Sequence, residues 1–132
     1  MKAFCGSCYI EHKNIYLVGK ENLRYYSEYA TMEIHFKNNN QKDFYQTEKA
    51  LITKHGKRMA TKIIQRIDEL QAAENPKQLP QNARFHEHSG KREGLFSIDL
   101  IHPFRLIVRP TCEYIHWYEI TSIEIYEIMD PH

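Results

Sequence analysis

Between Arg84 and Pro110 the chain alternates twice, and no other stretch narrows the possible folds as much. Phe96, Ile98 and Leu100 recur at every second position, with Ser97 and Asp99 between them. That period of two is the signature of a half-buried strand. After the break at His102-Pro103, Phe104, Leu106 and Val108 alternate with Arg105, Ile107 and Arg109. Upstream, the short polar run Arg84-Phe85-His86-Glu87-His88 ends at Ser89-Gly90, and Gly94 follows, so the chain can reverse sharply there. These runs predict a β-meander whose polar side carries His86, His88, Lys91, Arg92, Arg105 and Arg109. Such a surface suits a polyanion. A solvated sheet face is the competing reading, and on charge alone it is the commoner one.

The segments before and after complete the architecture. Met32 to Phe36 alternates and predicts a first strand, ended by Asn38-Asn39-Asn40. A helix is expected over Asp43 to His55, burying Phe44, Leu51 and Ile52, with Gly56 as its end. The next helix is the clearest, because Met59, Ile63, Ile67 and Leu70 lie on one stripe at spacings of four, four and three. Arg58, Lys62 and Arg66 make a basic stripe beside it, and Asn75-Pro76 stops the helix. Lys77 to Asn82 connects to the meander. Thr111 to Tyr118 reads as a loop, with Trp117 taken as a packing residue, and Ile120 to Met129 as the last strand. Strand, helix, helix, then three or four strands is an α+β order with a largely antiparallel sheet.

No run approaches the ~18 apolar residues of a membrane helix, and Met1 to Lys13 lacks the apolar core of a signal peptide. The expectation is a cytoplasmic protein without membrane contact. The division expected is an amino-terminal extension, 1–31, and one domain, 32–132. Three cysteines make a disulfide framework unattractive, and Cys5-Gly-Ser-Cys8 supplies only half of a tetrahedral zinc site. No metal and no cofactor is expected. The net charge of +1 hides segregation. Lys49 to Arg66 holds six Lys/Arg and no acid, and Glu113 to His132 holds five acids and no Lys/Arg. A charged partner can be steered by such a division, and a solvated helix face explains it equally.

The chain carries no Gly-x-Ser-x-Gly, no Gly-rich phosphate loop and no His-Glu-x-x-His. It does end Asp130-Pro131-His132. If the last strand lies beside the Phe104–Arg109 strand, that ending joins Arg105 and Lys91 on one surface. A base, an acid and anion binders would then stand together, the set needed to cleave RNA through its own 2′-hydroxyl. A frayed terminal histidine in solvent is the competing reading.

From Met32 to His132, about three quarters of the chain, the sequence resembles the HigB-like killer proteins of plasmid maintenance systems, toxins of the RelE/ParE superfamily. The resemblance rests on ordered motifs: His55-Gly56-Lys57-Arg58; Ile67 to Ala73 followed by Leu79-Pro80; Phe85-His86; Gly90 with Gly94-Leu95-Phe96-Ser97; His102 to Ile107; and Ile125 to His132 with its Asp-x-His ending. It implies a RelE-like fold, two amino-terminal helices on a twisted, mainly antiparallel sheet of four or five strands. It also implies a ribosome-dependent mRNA endonuclease, restrained by a HigA-like helix-turn-helix antitoxin. Carried over by motif, His86, Arg105, Asp130 and His132 would be catalytic. Lys91, Arg92, Arg109, Lys57, Arg58 and Lys62 are the expected phosphate binders. Two departures stand out: Ser89 replaces a lysine often found before Gly90, and Pro131 replaces an aromatic residue that would stack on a base. They keep two alternatives open, a ParE-like inhibitor of gyrase and a decayed toxin that only binds its antitoxin.

Overall fold

The structure, a computed structural model, describes residues 31–130. Cys5, Cys8, Pro131 and His132 therefore lie outside the described residues, as do the expectations that rest on them. Among the described residues, five strands form one mixed sheet: β1 (Glu33–Phe36), β2 (His86–Glu87), β3 (Phe96–Asp99), β4 (Arg105–Pro110) and β5 (Ser122–Met129). Their spatial order is β1-β5-β4-β3-β2. Only β1 runs parallel to its neighbour, pairing Ile34 with Ile123 and Phe36 with Ile125. The other three pairings are antiparallel. The α+β class and the meander are as the sequence predicts.

The helical half differs in its divisions. The asparagine run that ends β1 also starts a helix, because the Asn38 side chain accepts from the Gln41 N–H at 2.9 Å. Helix α1 (Asn39–Gln46) thus begins four residues earlier than expected. It stops at Thr47, whose hydroxyl donates to the Asp43 carbonyl at 2.6 Å while its backbone is extended. α2 (Glu48–His55) restarts at once, so the single helix expected over Asp43 to His55 is two. Leu51 is fully buried, but Tyr45 is the buried aromatic, with Phe44 and Ile52 only packed against the core. Gly56 joins α2 to α3 (Lys57–Ala72) at φ 88°, a conformation that disfavours any side chain.

On α3, Met59, Ile63, Ile67 and Leu70 are buried as the periodicity predicts. They share one core with Phe96, Ile98, Leu106, Val108, Ile123 and Ile125 from alternate positions of β3, β4 and β5. Arg66 corrects the sequence reading. It does not extend an exposed basic stripe, but is 2% exposed. Its Nε donates to the Asp99 carbonyl at 2.8 Å, its Nη1 to Glu69 at 2.8 Å, and its Nη2 to the Asn82 carbonyl at 3.2 Å. A guanidinium can be buried only when its donors are met in this way. Arg66 is a strut from α3 to the end of β3 and to the connector.

Candidate functional site

The strand registers decide which side chains share the face turned away from the core. His86 stands opposite Ser97, Ser97 opposite Ile107, and Ile107 opposite Glu127. One step along, Asp99 stands opposite Arg105, and Arg105 opposite Met129. β5 therefore does lie beside β4, and its carboxy-terminal end arrives at Arg105. Asp130, exposed, follows immediately. Its proposed partner His132 lies outside the described residues.

This face is not simply wet. Ser97 and Ile107 are both fully buried although they point away from the main core. Nearby is the β2–β3 loop, where Gly90 (φ 70°) and Gly94 (φ 91°) bracket a short 3-10 turn, Gly90–Arg92. From that turn Arg92 reaches across β4 to the Glu127 carboxylate of β5 at 3.1 Å, over the position of Ile107. Lys91, in the same turn, is exposed.

His86 is held at both ring nitrogens. Nδ1 lies 2.7 Å from the Arg84 carbonyl and Nε2 lies 3.1 Å from the Ser97 hydroxyl. A carbonyl only accepts, so in the neutral ring Nδ1 carries the proton and Nε2 accepts from Ser97. Arg84 offers its carbonyl from a left-handed backbone (φ 49°, ψ 56°), the sole such non-glycine among the described residues. A conformation of this kind costs about 1 kcal/mol or more and persists where the surroundings demand it. Here it aims the carbonyl at His86 and sends the Arg84 side chain to Asp99 at 3.5 Å. The other Asp99 oxygen is 3.8 Å from Arg105 Nε, close enough to pair electrostatically but too long for a hydrogen bond.

His88 differs. Its ring stands 5.8 Å from that of His86, and its Nε2 is shielded from solvent without a hydrogen-bond partner. Burial holds the imidazole below its ordinary pKa, and the positive neighbours His86, Arg92 and Arg105 push the same way. Sequence reasoning listed both rings among the cations and imidazoles of the polar side and named His86 as the catalytic candidate. That His86 and not His88 meets Ser97 depends on the β2–β3 pairing, which no spacing rule gives.

The remaining candidates separate. Arg109 is four residues from Arg105 on the same strand, about 13 Å at strand rise. It is paired with the directly opposite Glu124 at 2.5 Å. Lys57, Arg58 and Lys62 belong to α3, on the layer across the sheet from His86. The acids of the last strand are not a free negative surface either, since Glu124 and Glu127 are each met by an arginine. Exposed pairs like these contribute only about 0–1 kcal/mol, so an incoming phosphate can displace the carboxylate. Trp117 packs as expected against Phe85, at 6.0 Å between centroids, yet stays 42% exposed. Among the described residues, no helix is long and apolar enough to cross a membrane, and no cluster of His, Cys, Asp or Glu is suited to a metal. Comparison of the chain with protein-family models, with curated proteins and with solved structures returns no match.

Proposed function

We propose that this protein is the toxin of a type II toxin–antitoxin pair, a RelE-like, ribosome-dependent mRNA endonuclease that works in the cytoplasm. The observation that carries the reading is the gathering of His86, His88, Arg92 and Arg105 on one sheet face, with the end of β5 delivered beside Arg105. In the proposed reaction a base takes the proton of an RNA 2′-hydroxyl. The freed oxygen attacks the neighbouring phosphorus, the bond from phosphorus to the 5′-oxygen breaks, and an acid protonates that leaving oxygen. A cyclic phosphate and a 5′-hydroxyl end remain. Arg105, with Arg92 and Lys91 from the loop, neutralises the charge that grows on the phosphorane. His86 or His88 serves as the base. His132, assisted by Asp130, serves as the acid by resemblance alone.

The expected partners are a HigA-like helix-turn-helix antitoxin and the translating ribosome with its message. The test is expression of the chain without the antitoxin. Growth should arrest, and primer extension should find discrete cuts in transcripts. Arg105→Ala should abolish both. Intact message with damaged DNA would favour a gyrase inhibitor and end the nuclease reading.

One observation favours a second reading, a protein that binds its antitoxin without cutting RNA. Both His86 nitrogens are engaged within the fold, and Arg92 and Arg105 face carboxylates of their own. Under this reading Arg105→Ala leaves any growth effect unchanged.

A further inference from the structure

β1 stops at Phe36, opposite Ile125, whereas β5 continues to Met129. Among the described residues, the overrun leaves one side of β5 without a strand, and α1 and α2 do not fill the gap. A cavity of about 350 Å³ remains there. Its walls combine aromatic rings with cations. Phe44 and Tyr126 supply two aromatic rings, and Lys54 and Lys37 hang over them, with Lys37 Nζ 3.9 Å from the Tyr126 ring centre and Lys54 Nζ 5.3 Å from that of Phe44. His55 contributes an Nε2 that is shielded and has no hydrogen-bond partner. Glu127 also lines the cavity and is the ion-pair partner of Arg92.

Rings, ammonium groups and in-plane hydrogen-bonding atoms are what a nucleotide needs: a face to stack on, cations for the phosphate, and partners for the base edge. An exposed cation–π contact is weaker than base–aromatic stacking, so a base can take the place of an ammonium group over either ring, freeing the lysine to meet phosphate. The position also fits. Glu127 is two residues along β5 from Met129, the partner of Arg105, about 7 Å at strand rise. A single extended nucleotide covers that separation.

We propose that the cavity formed by Lys37, Phe44, Lys54, His55, Tyr126 and Glu127 seats the base of the nucleotide adjacent to the phosphodiester held at Arg105. The inference rests on the RNA-cleaving reading and adds a subsite to it. Tyr126 is the bulged residue of β5, opposite no residue of β4, and its ring lines this cavity beneath Lys37. A ligand seated there also meets Glu127, and through it the loop cation Arg92.

The test uses the full chain and a single-stranded RNA trinucleotide made uncleavable by a 2′-deoxy sugar at the cut position, with an oligomer lacking one base as comparison. The wild type should bind the complete trinucleotide at least tenfold more tightly than the abasic one. Lys54→Glu, at an exposed position, and Tyr126→Leu should each weaken binding at least tenfold, and Tyr126→Leu should also erase the preference for the base. Thermal unfolding checks that both variants are folded. If they bind like the wild type while Arg105→Ala loses affinity, the subsite is wrong and the nuclease reading stands. If wild type and abasic oligomer bind equally, the contact is charge alone and the subsite is likewise wrong. If the wild type binds neither oligomer, the subsite falls, and the growth-arrest experiment decides separately on the nuclease.

Discussion

Arg66 and Arg105 stand on opposite sides of the same sheet and have opposite fates. Arg66, on the helical layer, is 2% exposed, and three elements satisfy its donors. Arg105, on the outer face, is one third exposed, and its nearest acid is too far for a hydrogen bond. One guanidinium ties three elements of the fold together, while the other stays partly exposed on the sheet face. Sequence spacing ranks the two alike, since each is a basic residue beside an apolar stripe. The lesson is that charge identifies a candidate binder only after burial has been assigned, because a buried cation spends its donors on its own chain.

The sharpest way to break this comparison is to remove each arginine. Under the proposed nuclease reading, Arg105→Ala should lower RNA cleavage by about 10²–10³-fold, the loss expected when a preorganised cation is taken from a phosphorane. Its urea midpoint should move by less than about 1 kcal/mol in stability, as for an exposed pair. A large loss of stability would make Arg105 a strut like Arg66. Next, Phe96→Ala should destabilise by about 3–5 kcal/mol, since Phe96 is buried on the helical side and stacks on Phe85 at 4.8 Å. Arg66→Ala should cost about 3 kcal/mol or more by denaturant unfolding, because it strips the Asp99 and Asn82 carbonyls and Glu69 of their donor. A change under about 1 kcal/mol would show that the strut is ornamental.

The smallest effect tests the imidazoles. Burial lowers the pKa of His88 and of His55, with nearby positive charge adding to it in each case. In the folded state both bind protons less readily than in the unfolded chain, so the unfolded state takes up more protons as pH falls through the ordinary histidine range. Their contribution is present above that range and is lost as pH drops from about 7 toward the lowered folded values. The unfolding midpoint of the wild type should fall with pH more than that of a His55→Gln, His88→Gln double variant. Parallel curves would mean that neither ring is shielded in solution.

Much of the frame was legible because it depends on local periodicity. Alternation marked β3 and β4, and spacing marked the buried stripe of α3. Boundaries were less legible. Asn38 reads as a strand breaker, and only its bond to the Gln41 N–H makes it a helix cap. Thr47 reads as one helical residue among others, until its hydroxyl takes the Asp43 carbonyl and ends α1. The bulge at Tyr126 was invisible, since one extra residue leaves no mark on composition, yet it returns Glu127 to the outer face after Ile123 and Ile125 have pointed inward.

For the site, the residue types came from the sequence and their company did not. Short-range chemistry determined that an α+β chain would carry imidazoles and guanidinium groups on one side of a meander. Hydrogen bonds and ion pairs act only over a few ångströms, between atoms that the linear chain keeps far apart. Tertiary structure alone could decide that Ser97 and the Arg84 carbonyl bind the ring of His86, that His88 keeps an unshared nitrogen, and that Glu127 joins the loop cation to a cavity beyond the end of β1.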